Sequence, residues 1–120
     1  MEAFLHGVLG GSGYWLRPPY GQVETGAEKI LSVPMVKWSV DPRDWESRDT
    51  QQVLRSMLRS VQENSIILLH DIYPSSVEAA LGLIDALGGQ GYCFVTVEEL
   101  LRLNGIEPQA GDLYRTGAGA

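Results

Sequence analysis

Cysteine is all but missing from this 120-residue sequence, and histidine is nearly as scarce: Cys93 stands alone, with His6 and His70 the only imidazoles. One cysteine excludes an internal disulfide and any cysteine-cluster metal site. It lies in the β-like run GYCFVTV, where it is expected to be a buried small apolar residue. No run approaches the roughly 18 uncharged apolar residues of a membrane span. Basic residues are few: 9 Lys and Arg stand against 15 Asp and Glu, for a formal charge of −6. That balance, with no basic patch, argues against nucleic acid as a partner. The opening MEAFLHGVLGGSG lacks the basic first segment of a secretory signal and reads as amphipathic helix. The chain alone therefore does not set its localisation.

What is present is ordinary in bulk and ordered in detail. At 44% hydrophobic and 20% charged, the sequence can bury a core and forms at most one small domain. Its patterns alternate. Residues 2–9 read as helix, 14–17 (YWLR) as strand, and 22–31 as helix with Val23, Ala27, Ile30 and Leu31 on one face. A strand is expected over 35–40 (MVKWSV). A helix is expected over 50–62, where Val53, Leu54, Met57, Leu58 and Val61 form one stripe and Asp49 or Thr50 can cap it. SIILLH (65–70) has the apolar continuity of a strand buried on both faces. A helix over 75–87 would open on a capping box from Ser75 to Glu78. YCFVTV (92–97) reads as the last strand. Thr96 with Glu99 starts a short helix to about residue 103, and the tail 104–120 is expected to be frayed. The division is thus a domain over 1–103 and a C-terminal tail over 104–120.

Four strand–helix units in succession imply an α/β fold with parallel strands, right-handed crossovers and outer helices. A closed barrel of this type takes about eight strands and ~250 residues. The chain therefore reads as half of a larger sheet; an open four-stranded sheet is the other arrangement, provided both faces of 65–70 are covered.

Parallel strands deliver their carboxyl ends to one rim, where such folds assemble their sites. Three strand ends here carry polar groups: Arg17, then Asp41 and Asp44 in DPRDW, then His70-Asp71. Pro18 and Pro19 stiffen the turn after Arg17 and hold the guanidinium at the rim. Each group also has a plain reading. Arg17 would serve as a surface ion-pair residue, Asp41 and Asp44 as turn residues, Trp38 and Trp45 as core, and His70 as a structural histidine. His6, on a helix face without such company, reads as surface. Agreement in position across three strand ends favours a site.

RPPYG at 17–21, DPRDW at 41–45 and LLHD at 68–71 resemble, in order and spacing, the third to fifth motifs of the polysaccharide deacetylase (NodB-homology) family. The likeness covers about residues 12–103. It implies the C-terminal half, about four βα units, of a distorted (β/α) barrel that hydrolyses acetyl groups from chitin-, peptidoglycan- or xylan-type glycans. For an N-acetyl group the bond is a non-peptide C–N bond. By this resemblance Arg17 orients the catalytic base and the backbone N–H of Tyr20 helps hold the oxyanion. Asp44 supports protonated His70 by a hydrogen bond, and His70 is the general acid to the leaving amine. Trp45 and Leu68 would wall the acetyl pocket. The family also implies a divalent metal, zinc first among candidates, and a secreted or cell-envelope location.

The sequence departs from the family at its first two motifs. It contains neither an Asp-Asp pair nor a His-x-x-x-His segment, which supply the base and the metal ligands. The chain is therefore expected to bind no metal by itself and to be inactive alone. It would work with the missing N-terminal half, in a second chain, or as a homo-oligomer. The rival reading is a non-catalytic truncated relative that self-associates or binds glycan; the third is an unrelated α/β domain.

Overall fold

A computed structural model describes residues 15–18 and 33–119 of the protein. The expected helices over 2–9 and 22–31 lie outside the described residues, as do His6, Pro19 and Tyr20. The described elements run β1 (Met35–Val36), α1 (Asp44–Ser47), α2 (Thr50–Ser60), α3 (Pro74–Gly88), α4 (Val97–Leu103) and β2 (Leu113–Tyr114). The segments that end near Arg17, Asp41 and His70 pair in parallel with a neighbour, and the last of them also makes an antiparallel bridge from Ser65 to Thr116. Leu16 pairs with Met35, β1 with β2, and Val40 with Ile67. The N–H of Val36 reaches Leu16 while the N–H of Met35 reaches Asp112, so β1 is held from both sides. This is an α/β arrangement, with regular pairing shorter than the runs of β-forming residues predict.

The core lies between α2 and α3. Val53 and Met57 on α2 meet Ala79, Leu83 and Leu87 on α3, with Leu54, Val61, Ile67 and Leu69 packed around them. Asp49 caps α2, its carboxylate accepting the N–H of Gln52 at 3.0 Å. That satisfies one of the first-turn donors that a helix leaves unpaired. α4 starts as expected, with Thr96 accepting the N–H of Glu99.

Five expectations are corrected. The Ser75–Glu78 capping box does not form. α3 begins one residue earlier at Pro74, whose fixed φ suits the first helical position, and Ser75 and Glu78 instead receive the Thr50 hydroxyl of α2. Residues 92–96 are extended but form no ladder among the described residues. They face residues 61–67 across a groove of about 290 Å³. Cys93 is consequently exposed, because an extended run without a neighbouring strand leaves its side chains in water. For the same reason 65–70 is only partly covered, and Leu68 alone is buried. The tail is not frayed throughout. Leu113 and Tyr114 form β2, Tyr114 is 2% exposed, and its ring lies 5.9 Å from that of Trp15.

Candidate active site

The loop after Val40 builds the site. Asp41 accepts the N–H of Arg43 at 2.9 Å, a local turn that an aspartate forms with the residue two ahead. Arg43 then takes a left-handed backbone conformation (φ 54°), and α1 follows at once. For a non-glycine residue such a conformation is uncommon and recurs at sites where the surrounding structure enforces it. The turn sends consecutive side chains to different places. Asp44 goes inward and is fully buried, whereas Trp45 is 43% exposed. The Arg43 guanidinium stacks over the Trp45 ring, 5.1 Å from its centre.

His70 sits opposite, at the end of the segment paired with Val40. Its ring Nδ1 lies 2.8 Å from Asp44 Oδ1, and its backbone N–H donates to Asp44 Oδ2 at 2.6 Å. One carboxylate thus grips both the ring and the main chain of the histidine. An ionised carboxylate only accepts, so the Nδ1 proton belongs to this bond and Nε2 is the nitrogen left for chemistry. The Ser76 hydroxyl, from the first turn of α3, donates to Oδ2 at 2.6 Å. Burial pushes the Asp44 carboxyl up. The hydrogen bonds from Ser76 and from the backbone and ring of His70, with the charge of the imidazolium, outweigh it and hold the group below its ordinary value.

In front of His70 is a cleft of about 690 Å³ lined by Arg17, Pro18, Trp38, Asp41, Trp45, Leu68 and His70. The structure therefore brings together five of the six expected site residues, with Asp44 behind His70 and not on the cleft wall. The sixth, Tyr20, lies outside the described residues. Arg17 is exposed at the rim and Leu68 is buried at the wall. The plain reading of Asp41 as a turn residue is correct; that of Asp44 is not. Trp38, read as core, lines the cleft and is half-buried.

Ser76 was not among the expected residues. The one signal for it was Pro74, which fixes where α3 starts and so which side of its first turn looks back at the site.

The described residues do not fit a catalytic metal. Such a site needs three protein ligands and an open position. Here both oxygens of Asp44 and Nδ1 of His70 are occupied by one another and by Ser76, leaving Asp41 and the far nitrogen of His70 as donors on the cleft. No cluster of three or more His, Cys, Asp or Glu side chains able to hold an ion occurs among the described residues.

No family model matches the chain, but individual proteins do. It is 34% identical over 96 residues to the peptidoglycan-N-acetylglucosamine deacetylase PgdA of Listeria monocytogenes, covering 78% of this chain and 21% of that protein. It superimposes on the peptidoglycan deacetylase PdaC of Bacillus subtilis with a TM-score of 0.79 at 30% identity, covering 87% of this chain and 52% of the other. A family 4 acetyl xylan esterase of Clostridium thermocellum, solved with a cobalt ion, gives a TM-score of 0.81 at 26% identity, over 96% of this chain and 58% of that one. The chain therefore belongs to the polysaccharide deacetylase family of hydrolases. It spans about a fifth of PgdA and about half of the two solved chains.

Proposed function

We propose that this chain is the C-terminal half of a distorted (β/α)-barrel deacetylase domain and supplies the acid side of acetyl hydrolysis on a glycan. The observation that carries the reading is the buried Asp44 gripping His70 by ring and main chain at the wall of a tryptophan-lined cleft. Trp45 and Leu68 wall the space for the acetyl methyl, and Trp38 extends the apolar surface for a sugar ring. His70, charged with Asp44 behind it, hands a proton from Nε2 to the departing amine or sugar oxygen, as a general acid held within reach of its leaving group does. Arg17 and the N–H of Tyr20 serve the base and the oxyanion from the rim. The base and the metal ligands lie on residues outside this chain, zinc being the first candidate for the ion; the proton passes from His70 to the leaving group without it. The substrate is a polysaccharide or oligosaccharide of peptidoglycan, chitin or xylan type, and the setting a cell envelope or the exterior.

The test is acetate release by this chain joined to the N-terminal part of the PdaC deacetylase domain, on an acetylated amino-sugar oligomer and on an activated aryl acetate. His70→Ala should cost about 10²–10⁴-fold on the amide. It should cost far less on the aryl ester, whose leaving group needs no proton. Equal losses on both would remove the general-acid role. Glycan binding with no acetate release from the joined protein would favour a non-catalytic binding module.

A further inference from the structure

A serine in the first turn of a helix ordinarily spends its hydroxyl on nearby backbone. Ser76 does not. It is 1% exposed, and its hydroxyl reaches across 32 positions of sequence to Asp44 Oδ2 at 2.6 Å. That oxygen also takes the His70 backbone N–H, so Oδ2 holds two donors while Oδ1 holds the ring Nδ1 alone. Three donors at these positions leave the carboxylate one plane in which all are satisfied. The turn carrying Ser76 is itself fixed, by Pro74 at its start and by the Thr50 hydroxyl of α2 on Ser75 and Glu78.

We infer that Ser76 is a positioning residue for His70 acting through Asp44: by occupying Oδ2 it turns the carboxylate so that Oδ1 meets Nδ1, which fixes the ring and reserves Nε2 for the cleft. The inference rests on the reading of His70 as proton donor for its purpose, but the geometry can be measured without turnover. Among the described residues, the titratable and charged groups facing His70 besides Asp44 are Arg17 and Asp41 on the cleft and Tyr73, whose ring centre is 6.4 Å away with Arg48 stacked upon it. Among the described residues, only His70 and Ser76 donate to the Asp44 side chain.

The experiment is NMR on the isotopically labelled 120-residue chain carrying Ser76→Ala, Ser76→Cys or Ser76→Thr. It reads the exchange rate of the His70 Nδ1 proton and the pH at which the Asp44 carboxyl carbon titrates. Losing one hydrogen bond to a charged group should speed the exchange about tenfold in the Ala and Cys variants. Asp44 should then protonate at higher pH, since one of the bonds opposing its burial is gone. Threonine, which keeps the hydroxyl, should restore both. Cysteine separates the causes, because it fills the space with a poor donor. If Cys behaves as wild type, or if Ala moves neither reading, the positioning role falls. Should the Ala variant fail to fold, the Cys and Thr variants decide alone. Absence of acetate release in the joined protein would strike the proposed reaction and leave these readings untouched.

Discussion

At the scale of single residues, Asp41 and Asp44 show how one tripeptide spacing yields two roles. Both sit in DPRD and both look like turn residues in sequence. Asp41 makes the turn, and the turn delivers Asp44 into the interior. Because the folded carboxyl lies below its ordinary value of 3.8, the unfolded chain binds the proton more readily. The group's contribution to stability is therefore complete above that value and is lost as pH falls through the lower folded one. Asp44→Asn presents an amide to three donors and should destabilise by on the order of 3 kcal/mol at pH 7. Urea melts at pH 7 and near pH 2.5 check the sign. The gap between wild type and variant should narrow in acid, and a constant gap would mean that the charge of Asp44 contributes nothing. Strand-end position marked the DPRDW and LLHD segments, but it was their likeness to the family's motifs that singled out Asp44, Trp45 and His70 within them. Ser76 was not, because its role depends on which face of α3 meets the loop, a tertiary fact.

Elements were legible where their signal is local. The 3.6-residue stripe of α2 and the Thr96 cap of α4 depend on neighbours a few positions away: the cap forms, and Val53, Leu54, Met57 and Val61 face the core, while Leu58 at the edge of the stripe is exposed. The capping box at Ser75 failed because two local signals competed and Pro74, which fixes φ outright, won. Strands depend on partners, so the pattern in 92–97 could not say whether a partner is there. The tail erred the other way: GDLYRTGAGA has no periodicity, yet β2 docks on β1 and Gly117 packs against α4. A Cβ at Gly117 would lie 2.6 Å from Leu100 Cγ and 3.1 Å from Asn64 Cβ, while its N–H donates to Asn64 O at 2.8 Å. Gly117→Ala should thus destabilise by about 1–3 kcal/mol through overpacking, seen as a fall in melting temperature. Ala118→Gly, at an exposed neighbour, should change it little. An unchanged melt for Gly117→Ala would show that the tail does not hold this position in solution.

At the scale of the whole molecule, the decisive feature is apolar surface that has no neighbour among the described residues. α3 buries Ala79, Leu83 and Leu87 on one face but exposes Val77, Leu81 and Ile84 at helical spacing on another, Leu81 to 59%. Tyr92, Phe94 and Val95 are exposed along an extended run whose backbone forms no ladder among the described residues. An unpaired, apolar strand-like edge is a template for association, and clustered exposed hydrophobic groups mark interaction surfaces. The chain also spans only about half the length of the solved relatives it matches. Together these features predict that the 120-residue chain associates, with itself or with a complementary part of the domain. Sedimentation velocity at micromolar concentration should therefore show species heavier than 13.2 kDa. Leu81→Lys with Phe94→Lys should shift the distribution toward monomer without loss of helical signal, because neither side chain belongs to the α2–α3 core. A compact wild-type monomer with a single cooperative melt would overturn the prediction. The exposed groups would then be ordinary surface, and the 120-residue chain would fold as a unit by itself.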